Sequence, residues 1–272
     1  MTAREDLPLG VFDSGLGGLT VVRALRAALP NENILYLGDT ARVPYGTKGE
    51  ATVVKYASGC AAHLVRAGVK AIVIACNTVS AVAPERLRID LDLPVLGVIE
   101  PGARAAVAAS TSGKIGVLAT QATVSSGAYA RAVLACSTRA EVVSFAAPLL
   151  VPLAEEGWTD GEVPRLVAAR YIEPLARAGV DTVVLGCTHY PLLRPILEEA
   201  ARNAIGPHVS VVDSALATAE DVVRFLDARK LRREAQTPGR IRIQVTDLPR
   251  TFSTVAARFL GADAEEVEQV DL

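Results

Sequence analysis

In Thr182-Val183-Val184-Leu185-Gly186-Cys187-Thr188-His189-Tyr190-Pro191, a short, largely β-branched run, Thr182 to Leu185, leads to a thiol. A second stretch, Ala71-Ile72-Val73-Ile74-Ala75-Cys76-Asn77-Thr78, follows the same plan. Apolar runs of this length, closed by polar clusters, read as parallel strands buried on both faces. A helical pattern follows each. Both thiols therefore stand where a strand ends and a helix begins. Such a junction supplies free backbone N–H groups and positive partial charge, which favour thiolate over thiol. One cysteine there is as readily a small buried residue. Two at matched junctions, each with threonine within two residues, point to paired chemistry.

The same alternation extends in both directions. Leu9–Asp13, Ile34–Asp39 and Leu93–Val98 read as strands, with helices over Thr20–Leu29, Glu50–Ala67 and Ser80–Leu91. Gly68 closes the second helix. Thr40–Gly49 is a loop containing glycine and proline. The pattern then restarts: Lys114–Thr120 repeats the character of Pro8–Ser14, and Cys187 follows it much as Cys76 follows the first. The spacing suggests an internal duplication of about a hundred residues, one αβ lobe per half. The second half continues with a helix at Val124–Ala135, a strand at Glu141–Phe145, a helix at Val163–Ala178 and a strand at Val209–Asp213. Helices at Ala215–Ala228 and Phe252–Leu260 flank a strand at Ile241–Val245. Alternating strands and helices mean an α/β fold with mainly parallel sheets. Ligands of such sheets bind beyond the carboxyl ends of the strands. Asp13, Asp39, Cys76, Cys187 and Asp213 all fall there. If the lobes face one another, Cys76 and Cys187 meet across a cleft.

Composition narrows the function. The chain of 272 residues carries a formal charge of −2, which gives no electrostatic case for nucleic acid. No apolar run reaches the ~18 residues of a membrane span. Met1–Asp6 is short and charged with no apolar signal core behind it, so a soluble cytoplasmic protein is expected. The basic run Arg229-Lys230-Leu231-Arg232-Arg233 reads as a solvated helix end, or else a weak anion patch. The four cysteines form no CxxC pair, and a reducing compartment disfavours disulfides. Cys60 and Cys136 read as packing residues, His63 as an ordinary helix residue and His208 as a loop residue.

Two facing thiols suit proton abstraction on one face of a carbon and delivery on the other, which is two-base racemisation. Backbone N–H groups at Ser14, Gly46, Asn77-Thr78 and Thr188-His189 would bind an α-carboxylate. Asp13 could orient Cys76, and His189 lies two residues beyond Cys187. Plainer alternatives stand beside each element. Asp13-Ser14 could cap the next helix, and Asp39-Thr40 could be an Asx turn. Gly15-Leu16-Gly17-Gly18 resembles a dinucleotide fingerprint, but Thr20 replaces the third glycine. Cys187 with His189 could be a hydrolase pair. No phosphate loop with lysine and no cofactor motif is present, so neither cofactor nor metal is expected.

The motifs Gly10–Gly15, Gly38–Gly46, Ala75–Thr78 and Gly186–Pro191, in this order, resemble those of glutamate racemases, within the aspartate/glutamate racemase superfamily. The likeness runs over nearly the whole chain. It implies a cofactor-independent enzyme that makes D-glutamate for peptidoglycan, with Cys76 and Cys187 as acid/base thiols. It implies that Cys76 acts on D-glutamate and Cys187 on L-glutamate. Asp13, His189 and Glu155 would assist, with Glu156 adjacent to the last. Asp13, Ser14, Asp39, Pro44, Tyr45, Gly46, Asn77, Thr78, Thr188 and His189 would contact glutamate. The resemblance further implies a homodimer. It also implies two αβ lobes, 1–98 with 211–272 and 99–210, the active site lying between them. Ala215 stands where many members have glycine after the late Asp213-Ser214. A racemase of another amino acid such as aspartate, or a non-catalytic two-lobed binding protein, are the alternatives.

Overall fold

The computed structural model describes residues 3–250, 252–262, 264 and 267–272. The first half runs β1 (Leu9–Asp13), α1 (Leu19–Ala28), β2 (Ile34–Gly38), α2 (Glu50–Arg66), β3 (Ala71–Ile74), α3 (Asn77–Ser80), α4 (Pro84–Asp90), β4 (Val95–Gly97). The second runs α5 (Ile99–Ala109), β5 (Lys114–Ala119), α6 (Gln121–Ser126), α7 (Ala128–Cys136), β6 (Glu141–Ala146), α8 (Leu150–Glu156), α9 (Glu162–Arg177), β7 (Thr182–Gly186), α10 (Arg194–Ala204), β8 (Ser210–Asp213). Then follow α11 (Ser214–Arg229), β9 (Ile241–Val245), α12 (Phe252–Leu260) and β10 (Val267–Gln269).

The strands form two sheets, ordered β10-β9-β2-β1-β3-β4 and β6-β5-β7-β8, with every pairing parallel. The duplication is visible in this topology. The order β2-β1-β3-β4 in one sheet matches β6-β5-β7-β8 in the other, so the strands before Cys76 and Cys187 are equivalent. The inner strands β1, β2, β3 and β7 are buried along their whole length, as their unbroken apolar runs require. The edge strands β6 and β8 are only partly covered.

Several expectations are corrected. The strand at 211–213 was expected with the first lobe. It pairs with β7, Val183 opposite Val211 and Val184 opposite Val212, so the chain leaves the second sheet only after Asp213. The helix expected over Ser80–Leu91 is broken, because Pro84 can start a helix but cannot continue one. The helix expected over Val124–Ala135 is broken at Gly127, whose φ of 64° lies in the left-handed region. No element was assigned to Ile99–Ala109, yet it forms α5; Pro101 sits in the first turn, where its missing N–H costs nothing. Cys136, expected to pack, ends α7 and is exposed, whereas Cys60 is buried. The basic run ends α11: Lys230 is left-handed, Arg232 pairs with Asp227, and Arg233 donates to the Asn31 carbonyl at 2.7 Å.

Among the described residues no helix is long and apolar enough to cross a membrane. Among the described residues one ion pair is wholly interior. Lys70 Nζ is 2.5 Å from Glu32 Oε2, both side chains being excluded from solvent. Lys70→Met leaves a carboxylate in the core, and breaking such pairs costs about 3–5 kcal/mol. Urea unfolding should show that loss. A variant as stable as the wild type would mean that Glu32 takes up a proton or reaches water.

Candidate active site

Ser14, Pro44, Tyr45, Gly46, Cys76, Asn77, Thr78, Cys187, Thr188 and His189 all line a single cavity of about 240 Å³. One thiol comes from each lobe, and both are nearly excluded from solvent, Cys76 at 5% and Cys187 at 6%. The volume lies below the usual ~300–1,000 Å³ of pockets for drug-sized ligands. It suits an amino acid and excludes a dinucleotide.

The loop at Gly15-Leu16-Gly17-Gly18 has another use. The amides of Gly15 and Gly18 donate to Asp13 Oδ2 at 3.2 and 2.9 Å. Gly17 passes so close to the second lobe that an added Cβ would stand 2.5 Å from His189 Nδ1. Gly17 seats the first lobe against Thr188 and His189, and the amides of Gly15 and Gly18 hold Asp13 rather than cradle a phosphate. Thr20 adds a bond across the cleft, its hydroxyl donating to the Thr188 carbonyl at 3.0 Å. Tyr129 of α7 donates to Asn77 Oδ1 at 2.7 Å. The hydroxyls of Thr78 and Thr120 meet at 3.0 Å, with Thr123 beside them.

Two residues expected on the wall lie behind it. Asp39 is fully buried, and its carboxylate is taken by Arg42 Nε at 2.7 Å, by Thr246 Oγ1 at 2.9 Å and by the Tyr45 hydroxyl. It holds Tyr45, which does line the cavity. Asp13 is also buried and is not a lining residue. Its Oδ1 has no hydrogen-bond partner among the described residues, nor has Asn77 Nδ2. Buried polar atoms without partners are rare enough to need a reason. Asn77 does line the cavity, and its free donor suits a carboxylate.

Of Glu155 and Glu156, the phase of α8 turns the first toward His189. Glu155 Oε1 lies 3.0 Å from His189 Nε2, and His189 Nδ1 lies 3.8 Å from Cys187 Sγ. Burial alone would lower the His189 pKa. The contacts with Cys187 and Glu155 outweigh it and push His189 up to about 10. The ring is therefore an imidazolium at neutral pH, donating toward sulfur on one side and carboxylate on the other.

At Cys76 the expectation of a favoured thiolate fails. Burial pushes its thiol up, and the charge of Asp13 adds to this. The Val79 amide and the Ser14 hydroxyl, 3.6 Å away, act in the opposite direction without prevailing. The helix after Cys76 has four residues, too few for a strong dipole.

Sequence reasoning missed Thr47, Thr120, Gln121, Pro148, Val151 and Pro152 on the wall. Thr120 was within reach, since the repeat that matches Lys114–Thr120 to Pro8–Ser14 sets it opposite Ser14. Asp213 caps α11 by accepting from the Ala215 amide at 2.8 Å. Among the described residues no three His, Cys, Asp or Glu side chains cluster as a metal ion would need.

The charge on His189 has a measurable consequence. Its folded value of about 10 lies above the ordinary 6.5. The stability it contributes is complete below pH 6.5 and is lost as pH rises toward 10. The Tm difference between wild type and His189→Asn should narrow across that window. A difference that stays constant would mean His189 is neutral throughout.

Residues 19–222 match the family model described as Asp/Glu/Hydantoin racemase. A glutamate racemase from Geobacter metallireducens is 50% identical over 97% of this chain and 96% of its own. The crystal structure of glutamate racemase from Francisella tularensis in complex with D-glutamate superposes with a TM-score of 0.90 at 38% identity, covering 98% of each chain. A glutamate racemase isoform from Bacillus anthracis reaches a TM-score of 0.93 at 35% identity, again covering 98% of each. With a family match across most of its length and relatives this similar end to end, the chain belongs to the Asp/Glu/hydantoin racemase family, a family of isomerases.

Proposed function

We propose that the protein interconverts L- and D-glutamate by proton transfer between two thiols at Cα, without a cofactor. The observation that carries this reading is that Cys76 and Cys187, on equivalent strand ends of the two lobes, wall one cavity of amino-acid size. The glutamate racemases it resembles end to end support the same substrate.

The imidazolium of His189 beside Cys187 suits a sulfur that carries negative charge, while burial favours the protonated form of Cys76. In the proposed cycle one sulfur acts as base and the other as acid. Cys187 takes the Cα proton from the enantiomer that presents it there. Cys76 delivers its own proton to the opposite face, and the two sulfurs exchange roles for the reverse reaction. Asn77 Nδ2 and the amides near Thr78 and Thr188 hold the α-carboxylate and disperse charge as the proton leaves. Asp13 serves Cys76, and His189 with Glu155 serves Cys187. The product supplies D-glutamate for peptidoglycan, in the cytoplasm, and we read the enzyme as a homodimer.

Circular dichroism tests the reaction. Either pure enantiomer of glutamate should run to zero ellipticity, and in D₂O the inverted product should carry deuterium at Cα. Activity should persist after dialysis against a chelator and in the presence of hydroxylamine. No turnover, equal turnover of aspartate, or rescue by pyridoxal phosphate or a divalent metal would sink the reading.

A further inference from the structure

Helix α12 belongs to the first lobe, where it packs on α1. Two consecutive residues on it touch the His189–Glu155 pair, which belongs to the second. Arg258 Nη1 donates to the backbone carbonyl of Glu155. Its guanidinium lies over Gly157, where an added Cβ would stand 2.9 Å from Cζ. That carbonyl is in the last turn of α8, where carbonyls lack helical partners and a cation is favoured. Phe259 is fully buried, and its ring meets the His189 ring edge to face, with centroids 5.1 Å apart and planes at 79°. Neither residue lines the cavity.

We propose that Arg258 and Phe259 are positioning residues for the acid/base pair at Cys187: Arg258 fixes the helical turn that carries Glu155, and Phe259 fixes the plane of the His189 ring. The need for both follows from the pair itself. An imidazole turned over about its Cβ–Cγ bond would present carbon, not Nδ1, to Cys187. The Glu155 side chain is 51% exposed, and a half-solvated contact holds a ring weakly. Among the described residues, the side chains of Cys187, Thr188, Glu155 and Phe259 meet the His189 side chain, and the Gly17 backbone passes close to Nδ1. Phe259 is the side chain among these that comes from the first lobe, and Gly17 adds that lobe's backbone, so the ring is fully held only with the lobes in this arrangement.

The proposal rests on the reading of Cys187 and His189 as working partners, and the test separates the two. Cys76→Ser leaves Cys187 as the one active-site thiol, and Cys187→Ser leaves Cys76. Each single-thiol enzyme is given β-chloroglutamate. The thiolate takes the Cα proton, and the freed electron pair forms the Cα–Cβ double bond as chloride leaves. The enamine then tautomerises and adds water, releasing ammonium and a 2-oxo acid that is assayed. In the Cys76→Ser enzyme, Phe259→Leu and Arg258→Met should each lower kcat by about tenfold, the scale known for outer-shell partners of metal-ligating histidines, with KM unchanged. Arg258→Lys should restore most of the rate. In the Cys187→Ser enzyme the same changes should leave kcat unaltered. Arg258 is exposed, so its variants report even if Phe259→Leu folds poorly. Equal losses in both enzymes, or loss in neither, would overturn the proposal. His189→Asn in the Cys76→Ser enzyme is the control; if it too lost nothing, the reading of His189 itself would fail.

Discussion

Cys76→Ser and Cys187→Ser should each abolish racemisation, yet each should still eliminate chloride from one enantiomer of β-chloroglutamate, and the two should prefer opposite enantiomers. The α-proton of an amino acid is very weakly acidic. Its removal needs a base held within reach and shielded from water. Both cysteines line the cavity and are nearly excluded from solvent. A single base returning the proton to the same face gives no inversion, so racemisation needs both thiols. A serine hydroxyl is far too weak an acid and base to replace either. Elimination needs one proton removed and none delivered, so one remaining thiolate suffices. Chiral analysis of unreacted substrate from the racemic chloride gives the preference. Two variants that consume the same enantiomer would end the two-thiol mechanism, as would full racemase activity in either.

The second large effect is expected at the residues that serve the thiols. Asp13→Asn and His189→Asn should each lower kcat by about 10²–10⁴-fold, the usual worth of general acid–base assistance, while KM changes little. Asparagine at 13 keeps an oxygen to accept from Gly15 and Gly18, so the turn should survive and the loss would be one of charge. The sign at Cys76 follows. The charge of Asp13 is among the causes that push the Cys76 thiol up, so Asp13→Asn should bring its ionisation to lower pH. Alkylation of Cys76 against pH, read peptide by peptide, would show the shift. If Asp13 only caps the turn, Asp13→Asn will keep wild-type turnover and an unmoved profile. Glu155→Gln should cost less, since the Glu155 side chain is half exposed and its contact with His189 is shared with solvent.

What the sequence by itself determined was local and periodic. Apolar runs too short for helices marked the inner strands, and proline, glycine and polar clusters marked where they stop. Cys76 and Cys187 could be placed on equivalent strand ends because the chain repeats its own pattern, and the sheet orders carry that repeat. Residues next to those strand ends, such as Ser14, Asn77, Thr78 and Thr188, were legible for the same reason. What only the tertiary structure decided depends on how one lobe meets the other. Nothing in the sequence around Pro148 says that it will line the same cavity as Cys76. Glu155 and Glu156 are chemically alike and adjacent, and the rotation of α8 against His189 separates them. Asp39 ends a strand just as Asp13 does, but Arg42, Tyr45 and Thr246 surround it and take it off the wall. The ionisation of Cys76 was misjudged because a strand-to-helix junction shows in sequence, whereas the burial that overrides it does not. Arg258 and Phe259 were silent in the sequence. Their contacts with Glu155 and His189 span about a hundred and about seventy residues of chain, and a contact of that range is fixed by packing rather than by periodicity.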